Sequence, residues 1–446
     1  MDRGFFVVSA VVGLLVLAAG CGDGGSSTVT CGDVEGNCVF LEEGDDLRER
    51  LQGALLEATE GTTIILDEGT YAMDMEVSHQ GADGIAIRGQ GRDRTILDFS
   101  GQSTGGGIVV ENVTGITVEG LSVMNPAADG VVVRASTDVV LRDLRVEWDP
   151  AVDSDNGLYA IYPVNSEDVL VENVIAIGSS DAGIYVGESR NVIVRDCEAH
   201  HNVAGIQMEN SFDSEMYDNW AHDNAAGLMI FDLPGKEFQK NGGRHLVYDN
   251  LSENNNTENF ATGGAIVATL PSGMGGLVMA VDDVELRNNT FRNNETVNLA
   301  VVSFYIAGDP SEDPEFDPIP ERIYIHDNEF EGGGDSPDTT KDGGMALAAL
   351  NAVLNSDLET PGEPIRDIAY DGISPEAPVE GTPDAENNPA YVCFEDNADA
   401  DGDADFLYLD GDNIDVETAD ISEAMPHDDV GTFTCTGPTQ SDITLP

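Results

Sequence analysis

Positive charge is what this 446-residue chain has least of. Its 19 Lys and Arg stand against 84 Asp and Glu, a formal net charge of −65. Only three of the 19 are lysines, at 236, 240 and 341. Phosphate binding needs clustered cations, so nucleic acid is excluded as a partner. A bare polyanionic glycan is disfavoured for the same reason. The acidic excess predicts a well-solvated surface suited to salt or divalent cations, and says nothing about fold. Long apolar runs are equally scarce. Beyond residue 21 none is long enough to cross a bilayer as a helix.

The one exception is the start. "GFFVVSAVVGLLVLAAGC" is a short apolar run ending in small residues before Cys21, the pattern of a targeting segment. "LAAGC" resembles a bacterial lipobox, which implies lipidation at Cys21. The weak basic end (Arg3 beside Asp2) and Ala18 where Leu is usual leave a plain secretory signal as the alternative. Residues 1–21 are therefore expected to be a lipoprotein signal and 22–46 a tether and N-terminal loop. The expected protein is exported and held to the cell envelope through its lipid alone. Cysteine usage agrees: Cys31 and Cys38 flank "GDVEGN", while Cys393 and Cys435 bracket the C-terminal region. Both pairs suit disulfides in an oxidising compartment. Cys197 is expected to be a small buried hydrophobe.

"LRERLQGALLEA" (47–58) carries apolar Leu47, Leu51 and Leu55 on one helical face, and predicts a helix. After it, short apolar alternations broken by Gly, Asn and Asp predict strands. Gly130, Gly157, Gly183, Gly205 and Gly227 open runs such as "GVVV", "GLYAI", "GIYV", "GIQM" and "GLMI". A second run follows within each unit: "VLVEN", "VIVRD", "SEMYDN", "LVYDN". Repeats of roughly 22–27 residues mark a solenoid. All-strand content with Asn near each turn makes it an all-β, right-handed parallel β-helix of about a dozen coils, with stacked coils burying a continuous core. Asn202, Asn224 and Asn255 are expected to stack as an internal ladder. The helix would plug the N-terminal end. The β-helix is expected over 47–345, followed by an irregular acidic cap rich in Pro, Gly and Asp over 346–446.

"GIAIRGQGRDRTILDFSGQSTGGGIVVEN" (84–112) resembles the opening coils of pectin-lyase-like β-helix proteins. The run from Gly157 to Gly235 is similar to a family of bacterial exported parallel β-helix repeat proteins. That likeness covers most of residues 50–330. It implies a pectin-lyase-like fold, often with a lipoprotein signal, and a gene neighbouring one for a c-type cytochrome. The family's function is not established. The N-T-D, D-D, G-H-G and R-I-K elements of polygalacturonase-like enzymes are absent in order. The nearest run to an epimerase D-P-H-D element, "MPHDD" (425–429), lies outside the coils.

Three sets of residues carry candidate chemistry. Repeat alignment sets His200 against His222 on adjacent coils, with Glu253 next and His201, Asp223 and Asn254 beside them. Two imidazoles one strand spacing apart suit a transition metal or acid–base exchange. A second set faces outward along a groove: Tyr159, Tyr185, Gln207 and Met229 in one column, Tyr162, Glu188, Asn210 and Asp232 in the adjoining turn. Lys236 is one of few nearby cations. Tyrosine faces with carboxylates and amides suit sugar rings and hydroxyls. Glu188 and Asp232, two coils or roughly 9.6 Å apart by strand spacing, are the candidate catalytic carboxylates alongside the two histidines. The third set, Asn397, Asp399, Asp401 and Asp403 in "NADADGDAD", resembles the start of a calcium loop without its closing Glu. Two functions remain open: recognition or processing of a polysaccharide or envelope glycan (as lyase, hydrolase or epimerase), or non-catalytic docking of a cytochrome c or metal-handling partner.

Overall fold

The computed structural model describes residues 28–354, 364–399, 402–409, 426–428 and 430–445. Cys21 and Asp401 lie outside them. The chain winds as a β-helix whose coils present three faces. Mid-chain coils show these most plainly. Face one holds Arg190–Arg195, Phe212–Tyr217, Gly243–Tyr248 and Asp282–Arg287. Face two holds the short strands Glu198–His200, Trp220–His222, Leu251–Glu253 and Thr290–Arg292. Face three holds Ala182–Gly187, Ala204–Glu209, Ala226–Phe231, Met274–Met279 and Val297–Val302. Faces one and two belong to one 19-stranded sheet and face three to a 12-stranded sheet; strands pair in parallel with their counterparts a coil away, except that Pro426–His427 closes the second sheet antiparallel to Phe406–Leu409. Alternate residues such as Ile184, Ile206 and Leu228, or Val194 and Met216, point inward and form one continuous core cluster.

The corners explain the recurring Asp-Asn and Asn-Asn pairs. Asp218, Asp249, Asn288, Asp327 and Asp396 all adopt left-handed backbone, with φ between 51° and 54°. Short polar side chains tolerate that region best. The asparagine that follows each one turns inward. Asn219, Asn250, Asn289, Asn328 and Asn397 form a ladder in which each Nδ2 donates to the next Oδ1 at 2.9–3.0 Å. Each Oδ1 also accepts the backbone N–H of the preceding rung. A parallel ladder runs through Asn202, Asn224, Asn255 and Asn294. The left-handed residue is thus the one before each rung. Cys197 heads the first ladder, donating its N–H to Asn219 Oδ1 at 3.0 Å, and is buried as expected.

Helix α1 (Leu47–Glu57) closes the N-terminal end, burying Leu47, Leu51 and Leu55 in the main core. Its Gln52 both donates to Ser78 O and accepts from Ser78 N, each at 2.9 Å. That amide stands in for a missing strand on the first edge of face three. The expected N-terminal loop is already part of the solenoid, because Asn37–Leu41 pairs with Thr62–Leu66. A disulfide joins Cys31 to Cys38.

The boundary at 345 is corrected. Helix α2 spans Asp342–Leu354, and the coil continues beyond it: Leu299 pairs with Ile368, Ile323 with Val392, and Ile368 with Phe406. Long Pro-, Asp- and Gly-rich insertions separate these strands in sequence, which hides the repeat. A disulfide between Cys393 and Cys435 ties the terminal segment to the last coils.

Asn289→Ala would orphan the Asn250 backbone and amide N–H groups. At 1–3 kcal/mol for each buried group left unpaired, the variant should lose about 2–6 kcal/mol and unfold at a visibly lower urea midpoint by circular dichroism.

Candidate functional site on face three

The tyrosines converge, in a register different from the repeat alignment. Ile161 pairs with Ile184, so Tyr162 is the neighbour of Tyr185 on face three. Ala160 takes the place that Gly183, Gly205 and Gly227 hold in later coils. The reason is an insertion: residues 150–158 form an extra loop, and Gly157 belongs to it. Tyr159 therefore precedes its strand and folds back over the column. The three rings pack with centroids 4.6 Å apart for Tyr159–Tyr162, 4.6 Å for Tyr159–Tyr185 and 5.1 Å for Tyr162–Tyr185.

Each hydroxyl of the inner pair meets a carboxylate. Tyr159 donates to Asp181 Oδ2 at 3.3 Å and Tyr185 to Glu209 Oε1 at 3.0 Å. Gln207 Nε2 donates to the other oxygen of Glu209 at 2.9 Å, and Lys236 closes an ion pair on Oε1. Gly187 is required here: a Cβ would lie 2.3 Å from the Tyr185 hydroxyl, so only glycine lets the ring lie along its own strand. On the open side the Arg134 guanidinium stands 5.5 Å from the Tyr162 ring centre and pairs with Glu111 at 3.1 Å. Asp129 accepts the Tyr159 backbone N–H at 3.2 Å.

This face is covered, which overturns the open groove. Tyr185, Gln207, Asn210 and Asp232 are buried, whereas Tyr159 and Tyr162 remain half-exposed. The loop 233–242 lies across the column. Asn210 holds it by two bonds with Leu233, at 2.9 and 3.0 Å. Glu188 accepts the amides of Phe238 and Gln239 at 3.0 and 3.4 Å. Asp232 accepts from Gly242 N. Glu188 and Asp232 do share a turn column two coils apart, but each is engaged by the loop backbone. They form no facing pair across a groove. Asn210 likewise binds loop rather than open space. Lys240 bonds Asp313 at 2.9 Å, fastening the loop to the 309–317 segment.

Burial drives the electrostatics. Desolvation, then the Glu209 charge, raises Asp181 to about 7, against the Tyr159 hydrogen bond that lowers it. Desolvation likewise raises Asp129, and holds Tyr159 and Tyr185 far from ionisation. Among the described residues Asp181 Oδ1 is buried without a hydrogen-bond partner, so nothing there compensates the ionised form. The arrangement offers aromatic surface beside a Tyr–carboxyl pair whose proton is exchangeable around pH 7, the range a general acid–base pair needs.

Of the residues picked from sequence, Tyr159, Tyr162, Tyr185, Gln207 and Lys236 meet here. Asp181, Glu209, Asp129 and Arg134 went unrecognised. Glu209 was accessible, since it shares outward parity with Gln207 two residues earlier; Asp181 sits in a corner with no such marker. His200 and His222 are on face two, paired in register, with Glu253 next as expected. The calcium reading loses its first ligand. Asn397 is the last rung of the inner ladder, accepting from Asn328 and donating to Ile325 O at 2.8 Å. Asp399 accepts the Gly402 N–H at 2.7 Å, a turn closed by its own chain.

Residues 106–241 match the family described as right handed beta helix region. No curated protein matches the chain. Among solved structures, the Azotobacter vinelandii mannuronan C-5 epimerase AlgE4 A-module is similar at 14% identity, covering 80% of this chain and 91% of that one, with a TM-score of 0.48. An alginate lyase from Paenibacillus sp. is 15% identical over 66% of this chain and 98% of its own, TM-score 0.41. Pectate lyase Pel9A is 11% identical over 85% and 80%, TM-score 0.44. The chain is a right-handed parallel β-helix.

The raised Asp181 carries a sign. Its folded value lies above the unfolded 3.8, so its burial costs nothing when both states are protonated. The cost grows as pH climbs from about 4 to about 7. Asp181→Asn should therefore gain stability relative to wild type over that interval, read as the difference in urea midpoints at pH 4.5 and pH 8.

Proposed function

We propose that this is an exported carbohydrate-processing protein, working where the Tyr159–Tyr162 surface meets Asp181. The carrying observation is the Tyr159–Asp181 pair: a buried carboxyl raised to about 7, bonded to a half-exposed tyrosine at 3.3 Å. The Tyr159 and Tyr162 rings supply a stacking surface for a sugar. The pair supplies a proton donor and acceptor for elimination, epimerisation or hydrolysis. Arg134 and Lys236 are already neutralised by Glu111 and Glu209. A neutral or calcium-bridged glycan is therefore favoured over a bare polyuronate. The two disulfides support an oxidising compartment outside the cytosol, with the lipid at Cys21 as the tether.

The test is proton NMR of a panel of polysaccharides incubated with the protein, with and without calcium. New anomeric or unsaturated signals from the wild type are expected. Tyr159→Phe and Asp181→Asn should each slow their appearance by about 10²–10⁴-fold, the range of a lost proton-transfer group. Signals that persist unchanged in both variants would remove the pair from the chemistry. Unaltered spectra across a broad panel would overturn processing altogether.

A further inference from the structure

Face two carries a cluster that the tyrosine site does not use. Glu198, His200 and His222 present one ligand atom each, all within 4.8 Å of one another. Glu198 Oε1 lies 3.3 Å from His222 Nε2 and 3.9 Å from His200 Nε2. Ligands at 2.0–2.1 Å around a tetrahedral ion stand about 3.3–3.4 Å apart. Of the three separations one already has that value, and the other two, 3.9 Å from Glu198 to His200 and within 4.8 Å between the two imidazoles, need small side-chain rotations to reach it.

The orientation of the rings is the second observation. Metal-binding histidines are held through their other ring nitrogen, and both of these are. His222 Nδ1 contacts Asp223 Oδ2 at 2.7 Å, and His200 Nδ1 contacts His201 Nδ1 at 2.8 Å. The holding residue is in each case the next one along, in left-handed backbone with φ of 52° and 57°. With the proton on Nδ1, both Nε2 lone pairs face Glu198. The two rings stack at 4.9 Å, and Trp220 covers His222 at 3.8 Å. No Lys or Arg pairs with Glu198 among the described residues.

Two other clusters act as internal comparisons. His326 repeats the dyad, with Asp327 at 2.7 Å and Glu285 at 3.2 Å. Its neighbour in register is Arg287, which shares the same Glu285 oxygen at 3.3 Å. Asp282, Asp317 and Glu321 also converge, but Arg322 bonds Asp282 at 2.8 Å and Glu321 at 3.1 Å. In both, a guanidinium already supplies the positive charge. At Glu198 two imidazoles stand in its place.

We propose that Glu198, His200 and His222 form a binding site for one divalent transition metal, with zinc suited by the mixed nitrogen and oxygen donors and a fourth position left to solvent or ligand. Asp223 and His201 are its positioning residues. Copper(II) should bind the same residues more tightly, following the general affinity order for such donors.

The experiment is calorimetric titration of the full chain with zinc(II), in salt and excess magnesium to saturate the acidic surface. Cobalt(II) absorption serves as a geometric readout. One zinc per chain is expected, with a four-coordinate cobalt(II) spectrum. His222→Ala and His200→Gln should each weaken binding by more than about 100-fold, and Asp223→Asn by about 10–100-fold. His326→Ala should bind as wild type does. Circular dichroism and melting without metal check that each variant is folded; should His222→Ala fail, His200→Gln and Glu198→Gln carry the test. Absence of saturable binding overturns the site. So does binding of several ions that is unmoved in folded His200→Gln and Glu198→Gln.

Discussion

Everything in this molecule depends on coils stacking in register, and the asparagine ladders are what hold the register at the corners. Each rung joins side chain to side chain and side chain to backbone, so a buried polar group that would otherwise be costly becomes fully partnered. The preceding residue, Asp or Asn at most rungs and His201 before Asn202, accepts the left-handed turn that aims the next residue inward. A two-residue corner repeated coil after coil therefore sets the phase of every strand between corners. Columns of outward side chains are a consequence. Where neighbouring coils carry chemistry at the same phase, stacking brings it within bonding distance.

Faces two and three use this differently. Face two has strands of three residues and stays partly open. Its His200, His222, Glu253 and Arg292 column is held by short contacts between adjacent coils. On face three, the 233–242 and 303–322 insertions lie over the sheet and turn an exposed surface into an interior one. In so acidic a chain, burial of carboxylates is the expensive step. It is met locally by Lys236 on Glu209, by Arg322 on Asp282 and by proton uptake at Asp181. The half-exposed Tyr159 and Tyr162 mark where that cover ends.

The repeat was legible because strand alternation and corner residues are local properties. Glycine at 183, 205 and 227 and asparagine at 202, 224 and 255 named the fold and one ladder. The ladder from Asn219 to Asn397 was hidden in plain view in "YDN", "RNN" and "HDN", since sequence does not say which of two adjacent polar residues turns inward. For that reason Asn397 resembled a calcium ligand. The continuation of the coil past residue 345 was masked by insertions longer than the coil itself.

What the sequence by itself determined is the periodic part: strands, corners, core, the pairing of His200 with His222 and the closing helix. These follow from nearest-neighbour preferences that recur every coil. Only the tertiary structure decided the site. An insertion after residue 149 shifted Tyr162 into the Tyr185 column, and the 233–242 loop covered Asn210 and Asp232 and capped the half-buried Glu188 of an earlier coil. Whether an outward residue meets solvent or a loop depends on chain that is remote in sequence, and no local pattern encodes it.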